Sequence, residues 1–322
     1  MWIFWSCVSI VIYSFCLIYE KKGVNINEKY CEIKMLIWFG ICGLLVSIFV
    51  SIFNLRETSA SFIKLFIESP PIILSTLFYY ASLLLSFISL KFIPVSIETP
   101  IANTYSCFTF IGAILLFLSL GEYQKITTEL TPEKVVLVVI IFIVLIIFSI
   151  LYRDEVKDNE ESNLLDKKAT NSKSKILFYA TVGIILAVLS SITDAFSSIV
   201  DYYILNDVIG TVDYLYFYNL LFFILAVFGW VYVSVKEKKI YNPFKKDQYV
   251  KAIGSGLDCL GTVTATLAIN ANQFYADPLI STTFIFTVVL SRIMLKEKLN
   301  WKQYICVIVL VLCIVGFAIL DA

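Results

Sequence analysis

The stretch Val135–Ile150 reads VVLVVIIFIVLIIFSI, without a charge, a glycine or a proline. With its flanks it supplies about 20 residues, which at ~1.5 Å of helical rise each cover the ~30 Å hydrocarbon core of a bilayer. Tyr304–Leu320, YICVIVLVLCIVGFAIL, is a second run of the same kind. In lipid a backbone satisfies its N–H and C=O groups only within helices or a closed barrel. Continuous apolar runs lack the alternation of barrel strands, so both are read as transmembrane helices.

Working outward, the same reading predicts spans near 2–19, 33–53, 70–90, 94–119, 133–151, 175–203, 210–235, 249–272, 277–295 and 301–320. The expected fold class is an all-α integral membrane protein of ten transmembrane helices. Composition agrees: 59% of the 322 residues are apolar, 16% are charged and the mean hydropathy is +0.86, against about 45–50% and about 25% in soluble domains. The lipid bilayer is thus the first partner, and a multi-pass protein of the plasma or inner membrane is expected. The first span starts at Trp2, follows no basic segment and is succeeded by Glu20-Lys21-Lys22, so it is read as a span rather than a cleavable signal.

Charge and residue types remove several functions. Lys plus Arg and Asp plus Glu both number 25, so there is no basic field to attract nucleic acid. Histidine is absent, which excludes histidine zinc sites, Ser-His-Asp triads and histidine proton relays. The eight cysteines form no CxxC, and all but Cys31 fall in apolar spans. They are read as small apolar side chains, and neither a metal nor a cofactor is expected. No GxxxxGK[ST] occurs, so ATP-driven transport would need another subunit.

The long hydrophilic stretch Arg153–Ser174 divides the spans five and five. The expected domains are 1–152, a linker over 153–174, and 175–322. A displacement of 181 residues sets Ser9 on Ser190, Phe15 on Phe196, Ile18 on Ile199 and Glu20 on Asp201. Shorter displacements set Tyr79 on Asp258, Pro100 on Pro278 and Glu122 on Glu297. The ordered drift is that of a duplication. Five helices is an odd number, so the second copy enters the membrane upside down. Two inverted repeats place a substrate site at their interface near the midplane.

Two five-helix halves, each with a Pro-opened fourth helix ending in Gly121-Glu122 or Lys296-Glu297-Lys298-Leu299, resemble the EamA-type drug/metabolite transporters. Lys296–Ala318, with Gly316 in the last helix, is the most typical stretch. Cys306 stands where the family often has Gly, and the fifth span has no Gly. The resemblance implies a ten-helix carrier of small organic solutes, often an exporter of amino acids or other metabolites, as a monomer or homodimer.

Polar residues show which face of each span turns from lipid. The third span carries Ser75, Tyr79, Ser82, Ser86 and Ser89 at spacings of four and three, one face of a helix. The eighth carries Gly254, Asp258, Gly261, Ala265, Ala268 and Asn272; the first Ser6, Ser9, Tyr13 and Cys16; the sixth Ser190, Asp194, Ser197 and Asp201. Close helix packing is the competing reading for the small residues. Ionisable residues deep in a bilayer more often mark pathways. Asp258, about 10 Å beyond Lys251 along the helix, is the first candidate for binding substrate or protons, with Asp194 second and Tyr79 beside them. Asn219 is a further candidate. Ser82, Ser86, Ser190, Ser197, Gly254, Gly261 and Asn272 are candidates for the cavity wall. Glu20 and Asp201 sit at span ends and are expected to be solvated. Glu98 and Asp277 precede Pro100 and Pro278 and are read as helix-capping acids; with Asn103, Ser281 and Thr282 they alternatively form a receptor for an anionic group. Arg292 either snorkels outward or pairs with an acid.

Lys and Arg concentrate in the loops after odd-numbered spans, which by the positive-inside rule places both termini outside. The family resemblance implies cytoplasmic termini, so the two criteria give opposite orientations. The functional expectation is a secondary carrier, not an enzyme, with Asp258 or Asp194 the candidates for proton coupling. A membrane enzyme and a non-transporting receptor or scaffold are the alternatives.

Overall fold

The computed structural model describes all residues except 25–27, 54–69, 122, 124–129, 163–169, 208, 273, 296–299 and 321–322. Every regular element among them is a helix. In chain order these are α1 (Trp2–Gly23), α2 (Cys31–Ile52), α3 (Pro70–Phe92), α4 (Val95–Ala102), α5 (Tyr105–Ser119), α6 (Pro132–Ser162), α7 (Thr170–Asp207), α8 (Thr211–Lys236), α9 (Tyr249–Ala271), α10 (Ala276–Ile280), α11 (Thr283–Met294) and α12 (Trp301–Leu320), with a short 3₁₀ turn at Lys246–Gln248. Among the described residues, eight segments are long and apolar enough to cross a membrane. They are α1, α2, α3, Ile97–Ser119, Phe178–Leu205 within α7, α8, Lys246–Ala271, and Ala276–Met294. The chain is therefore a multi-pass, all-α membrane protein. The predicted fifth and tenth spans, on α6 and α12, are helical too. Helix runs into both ends of the expected linker, as far as Ser162 and from Thr170 onward; residues 163–169 lie outside the described residues, as do the family-like positions Glu122 and 296–299.

Burial is sorted oppositely to that of a soluble domain. Leu45, Leu115, Phe228 and Leu312 are each more than 60% exposed, whereas Ser9, Ser75, Glu98, Thr109 and Asp213 are fully covered. Lipid solvates the outer methyls and rings, and hydroxyls turn inward to carbonyls of neighbouring helices. The helices pack in pairs far apart in sequence: α1 on α9, α3 on α7, α2 on α8 and α6 on α12. The α2–α8 contact depends on Gly40, where a Cβ would lie 2.2 Å from that of Ala226 and 2.9 Å from the Phe222 carbonyl.

The fourth and ninth predicted spans are broken rather than continuous. α4 stops at Ala102 and α5 starts at Tyr105; α10 stops at Ile280 and α11 starts at Thr283. Pro100 and Pro278 each remove an amide donor. Side-chain hydroxyls take up the carbonyls at each break: Thr104 Oγ1 donates to Ile101 O (2.7 Å), Ser106 Oγ to Asn103 O (3.0 Å), Ser281 Oγ to Pro278 O (2.7 Å) and Thr282 Oγ1 to Leu279 O (2.7 Å). Non-helical backbone at membrane depth is stable on such terms.

At one end of the bundle, α1–α2, α8 and α9 are tied by charge. Lys34 pairs with Glu28 (3.2 Å) and Glu237 (2.7 Å), Lys251 pairs with Glu28 (2.7 Å), and Lys91 pairs with Glu32. Tyr241, in the loop after α8, donates to Gln248 Oε1 at 2.9 Å. Burial, with Glu28, Asp247 and Glu237 nearby, pushes its hydroxyl pKa up, so it keeps the proton it donates.

Candidate functional site

A cavity lies among α1, α3, α4, α7, α8, α9 and α10 and the first residues of α5 and α11. Each helix reaches it with the face its sequence marks as polar. α3 brings Tyr79, Ser82 and Ser86; α7 brings Ser190, Asp194, Ser197 and Asp201; α9 brings Asp258 and Thr262. α1 contributes Tyr13, Cys16 and Glu20, a continuation of the stripe that starts at Ser6 and Ser9.

Six carboxylates line this space: Glu20, Glu98, Asp194, Asp201, Asp258 and Asp277. No Lys or Arg lines it among the described residues. Tyr13, Tyr79, Tyr105, Tyr214 and Tyr218 supply the aromatic wall.

The acids are unequally supplied with donors. Asp277 Oδ2 accepts from Tyr202 at 2.7 Å, with the Tyr105 hydroxyl on the same carboxylate. Asp201 accepts from Ser75 and Tyr214. Glu98 Oε1 accepts from Ser86 at 2.6 Å, but Oε2 is buried without a partner. Asp258, 3% exposed, receives only a long bond from Tyr79, 3.4 Å to Oδ1, and its Oδ2 is orphaned. A buried acceptor left bare costs about 1–3 kcal/mol and more when charged.

The candidates thus separate. Asp258, Asp194, Tyr79, Asn103, Ser82, Ser86, Ser190 and Ser197 converge on the cavity. Asn219 does not: its amide donates to Leu215 O (2.8 Å) and its Oδ1 lies against Gly43 of α2. Ser281 and Thr282 are occupied at the helix break, while Thr283 reaches the wall. Gly254 and Gly261 act in packing, where an added Cβ would meet the Glu20 backbone at 3.3 Å and the Tyr13 ring at 2.6 Å. Asn272 closes α9, its Oδ1 accepting from the amides of Phe274 and Tyr275 at 3.2 Å.

Two expectations need correction. Glu20 and Asp201 are not solvated span ends: both face the cavity, and Glu20 is 3% exposed. Glu98 and Asp277, at 0% and 2% exposure, are wall groups rather than simple caps. Their signal was present, because Glu20 follows Cys16 by four residues on the same stripe. Arg292 is exposed, its guanidinium 5.3 Å from the centre of the Tyr304 ring.

Cys16 Sγ and the carboxylates of Glu20 and Asp258 lie within 4.8 Å of one another, a donor set able to hold a metal ion. The thiol currently faces the Gly254 carbonyl at 3.3 Å.

No family model matches the chain, and no curated protein is similar to it. A solved structure described only as "Crystal structure of protein" is similar to it with a TM-score of 0.63 and 12% identity, over 99% of this chain and 96% of that one. At that identity the likeness shows the fold alone.

Proposed function

We propose that this chain is a secondary carrier of small organic solutes, built as ten transmembrane helices in two inverted five-helix repeats of the EamA type. It is not an enzyme on this reading, and it works in the plasma or inner membrane by alternating access. The observation that carries the reading is a set of interhelical hydrogen bonds made twice by one rule, with the polar cavity between them. Ser190 and Ser197 on α7 donate to the carbonyls of Ser82 (2.9 Å) and Ser75 (3.1 Å) on α3. Moving α7 back by 181 residues and α3 forward by 179 gives Ser9, Cys16, Gly261 and Gly254. Ser9 Oγ and Cys16 Sγ donate to the carbonyls of Gly261 and Gly254, each at 3.3 Å. The helix pairing is consistent with the same exchange, since α1–α9 and α3–α7 are each other's images while α2–α8 and α6–α12 map onto themselves. Both halves also break their fourth helix.

Such a repeat supports rocking of one helix set against the other about a shared central site. Tracer counterflow in proteoliposomes tests it, with amino acids, nucleosides, amines and cationic drugs run with and without a pH gradient. A saturable exchange signal for any of them is expected. Folded protein that exchanges none of a broad panel favours a receptor or scaffold.

A further inference from the structure

We infer that the central cavity binds an alkylammonium ligand, a primary amine or diamine whose charged head donates N–H hydrogen bonds to Glu98 and Asp258. The carrier reading bears only on what happens after binding.

Charge is the first ground. Six carboxylates share one membrane-embedded cavity that no Lys or Arg among the described residues lines, and burying uncompensated charge costs several kcal/mol per ion. Lys21, next to Glu20, directs its ammonium to the carbonyls of Leu90 and Ile93 and lies within electrostatic reach of Glu98, one positive charge against six acids. Most of the balancing positive charge must therefore come from a ligand or from protons, and an anionic substrate is disfavoured.

The orphaned oxygens narrow the choice. Asp201 and Asp277 each have two hydroxyl donors. Glu98 and Asp258 also line the cavity, and each keeps one buried oxygen, Oε2 and Oδ2, with no donor. A carboxylate oxygen only accepts, so a matching ligand must donate. That favours N–H-bearing ammonium over quaternary cations, which have charge but no donor. The two oxygens stand on different elements, α4 and α9, which suits a head with several N–H bonds or a chain with two heads.

The rest of the wall selects an organic cation over a metal. The five tyrosine rings offer cation–π contacts of about 0.5–2 kcal/mol each. Leu17, Leu83, Ala265, Ile269 and Ile280 provide an apolar lining for a methylene chain. A metal at Cys16, Glu20 and Asp258 would displace the thiol from Gly254 and leave Glu98 unsatisfied.

Isothermal titration of the purified full chain tests this with butylamine, diaminobutane, tetramethylammonium, butanediol, succinate, zinc and manganese. Saturable binding of the two amines is expected, with tetramethylammonium weaker by about tenfold or more for lack of a donor and with the diol and diacid silent. Glu98→Gln and Asp258→Asn, if monodisperse, should each weaken the amines about tenfold or more. Silent amines, preferred binding of the diol or diacid, zinc or manganese binding alone, or undiminished affinity in both folded variants would overturn the inference. The wild-type ligand series decides it even if both variants misfold. Counterflow of labelled diaminobutane separates the two claims: binding without exchange removes the carrier and keeps the site. Exchange of another solute with the amines silent keeps the carrier and removes the site.

Discussion

Asp258 gives one oxygen to a long bond from Tyr79 and leaves the other bare, an arrangement that protein stability alone does not favour. It lies within electrostatic reach of Tyr13, Cys16 and Glu20 on α1, Cys42 on α2, Tyr79 on α3, Asp194 on α7 and Tyr218 on α8. Asp258→Asn keeps the shape and removes the ionisable group. If this acid couples protons, the variant should fold with undiminished yield and lose accumulation driven by a pH gradient, while exchange without a gradient persists at solute concentrations raised about tenfold or more to offset the weaker binding. Unchanged gradient-driven uptake would exclude Asp258 from coupling. Ser82 and Ser190 make the reverse case of polar residues used for packing, each donating to the other's carbonyl at 3.0 and 2.9 Å. Ser82→Ala and Ser190→Ala should each cost about 0.6–1.7 kcal/mol in unfolding measurements, nearly additively because the carbonyl acceptors stay in place. At this scale the polar stripes were legible, because a period of three and four residues survives in one sequence. Which member of a stripe packs and which lines a space was not, since Gly261 against the Tyr13 ring and Ser86 in the cavity wall are told apart only by what lies opposite.

Between elements, α2 packs closely against α8 at Gly40. Gly40→Val would force a branched side chain into the Ala226 methyl and the Phe222 carbonyl, and it should destabilise by about 1–3 kcal/mol or more. Gly256 is the control: its added Cβ would meet only Cys42 Sγ, at 3.8 Å. Gly256→Ala should be neutral or raise stability by up to about 1 kcal/mol through helix propensity. Thermal unfolding in detergent compares the two. Eight of the spans were read from hydropathy to within a few residues, because lipid leaves the backbone so few choices. The breaks after Ala102 and Ile280 were not read. Pro100 and Pro278 announce a lost donor, but hydroxyls three residues along decide whether the helix restarts, and that depends on local geometry. Helix running into the ends of the polar stretch 153–174 was likewise hidden behind its composition.

Across the whole molecule, the drifting displacement of matched residues was legible, and the cavity was not. Glu20, Glu98, Asp201 and Asp277 belong to four helices, and only the packing of α1, α4, α7 and α10 around one space brings them together. The central claim is that this space opens alternately to the two sides of the membrane. Its most direct test is two-sided labelling of single cysteines, Ser86→Cys on α3 or Ser198→Cys on α7, in an otherwise cysteine-free chain. A membrane-impermeant thiol reagent is applied to right-side-out and to inside-out vesicles. Alternating access predicts that both positions are labelled from either side and that a bound substrate slows both reactions. Labelling from one side only, indifferent to substrate, would contradict it.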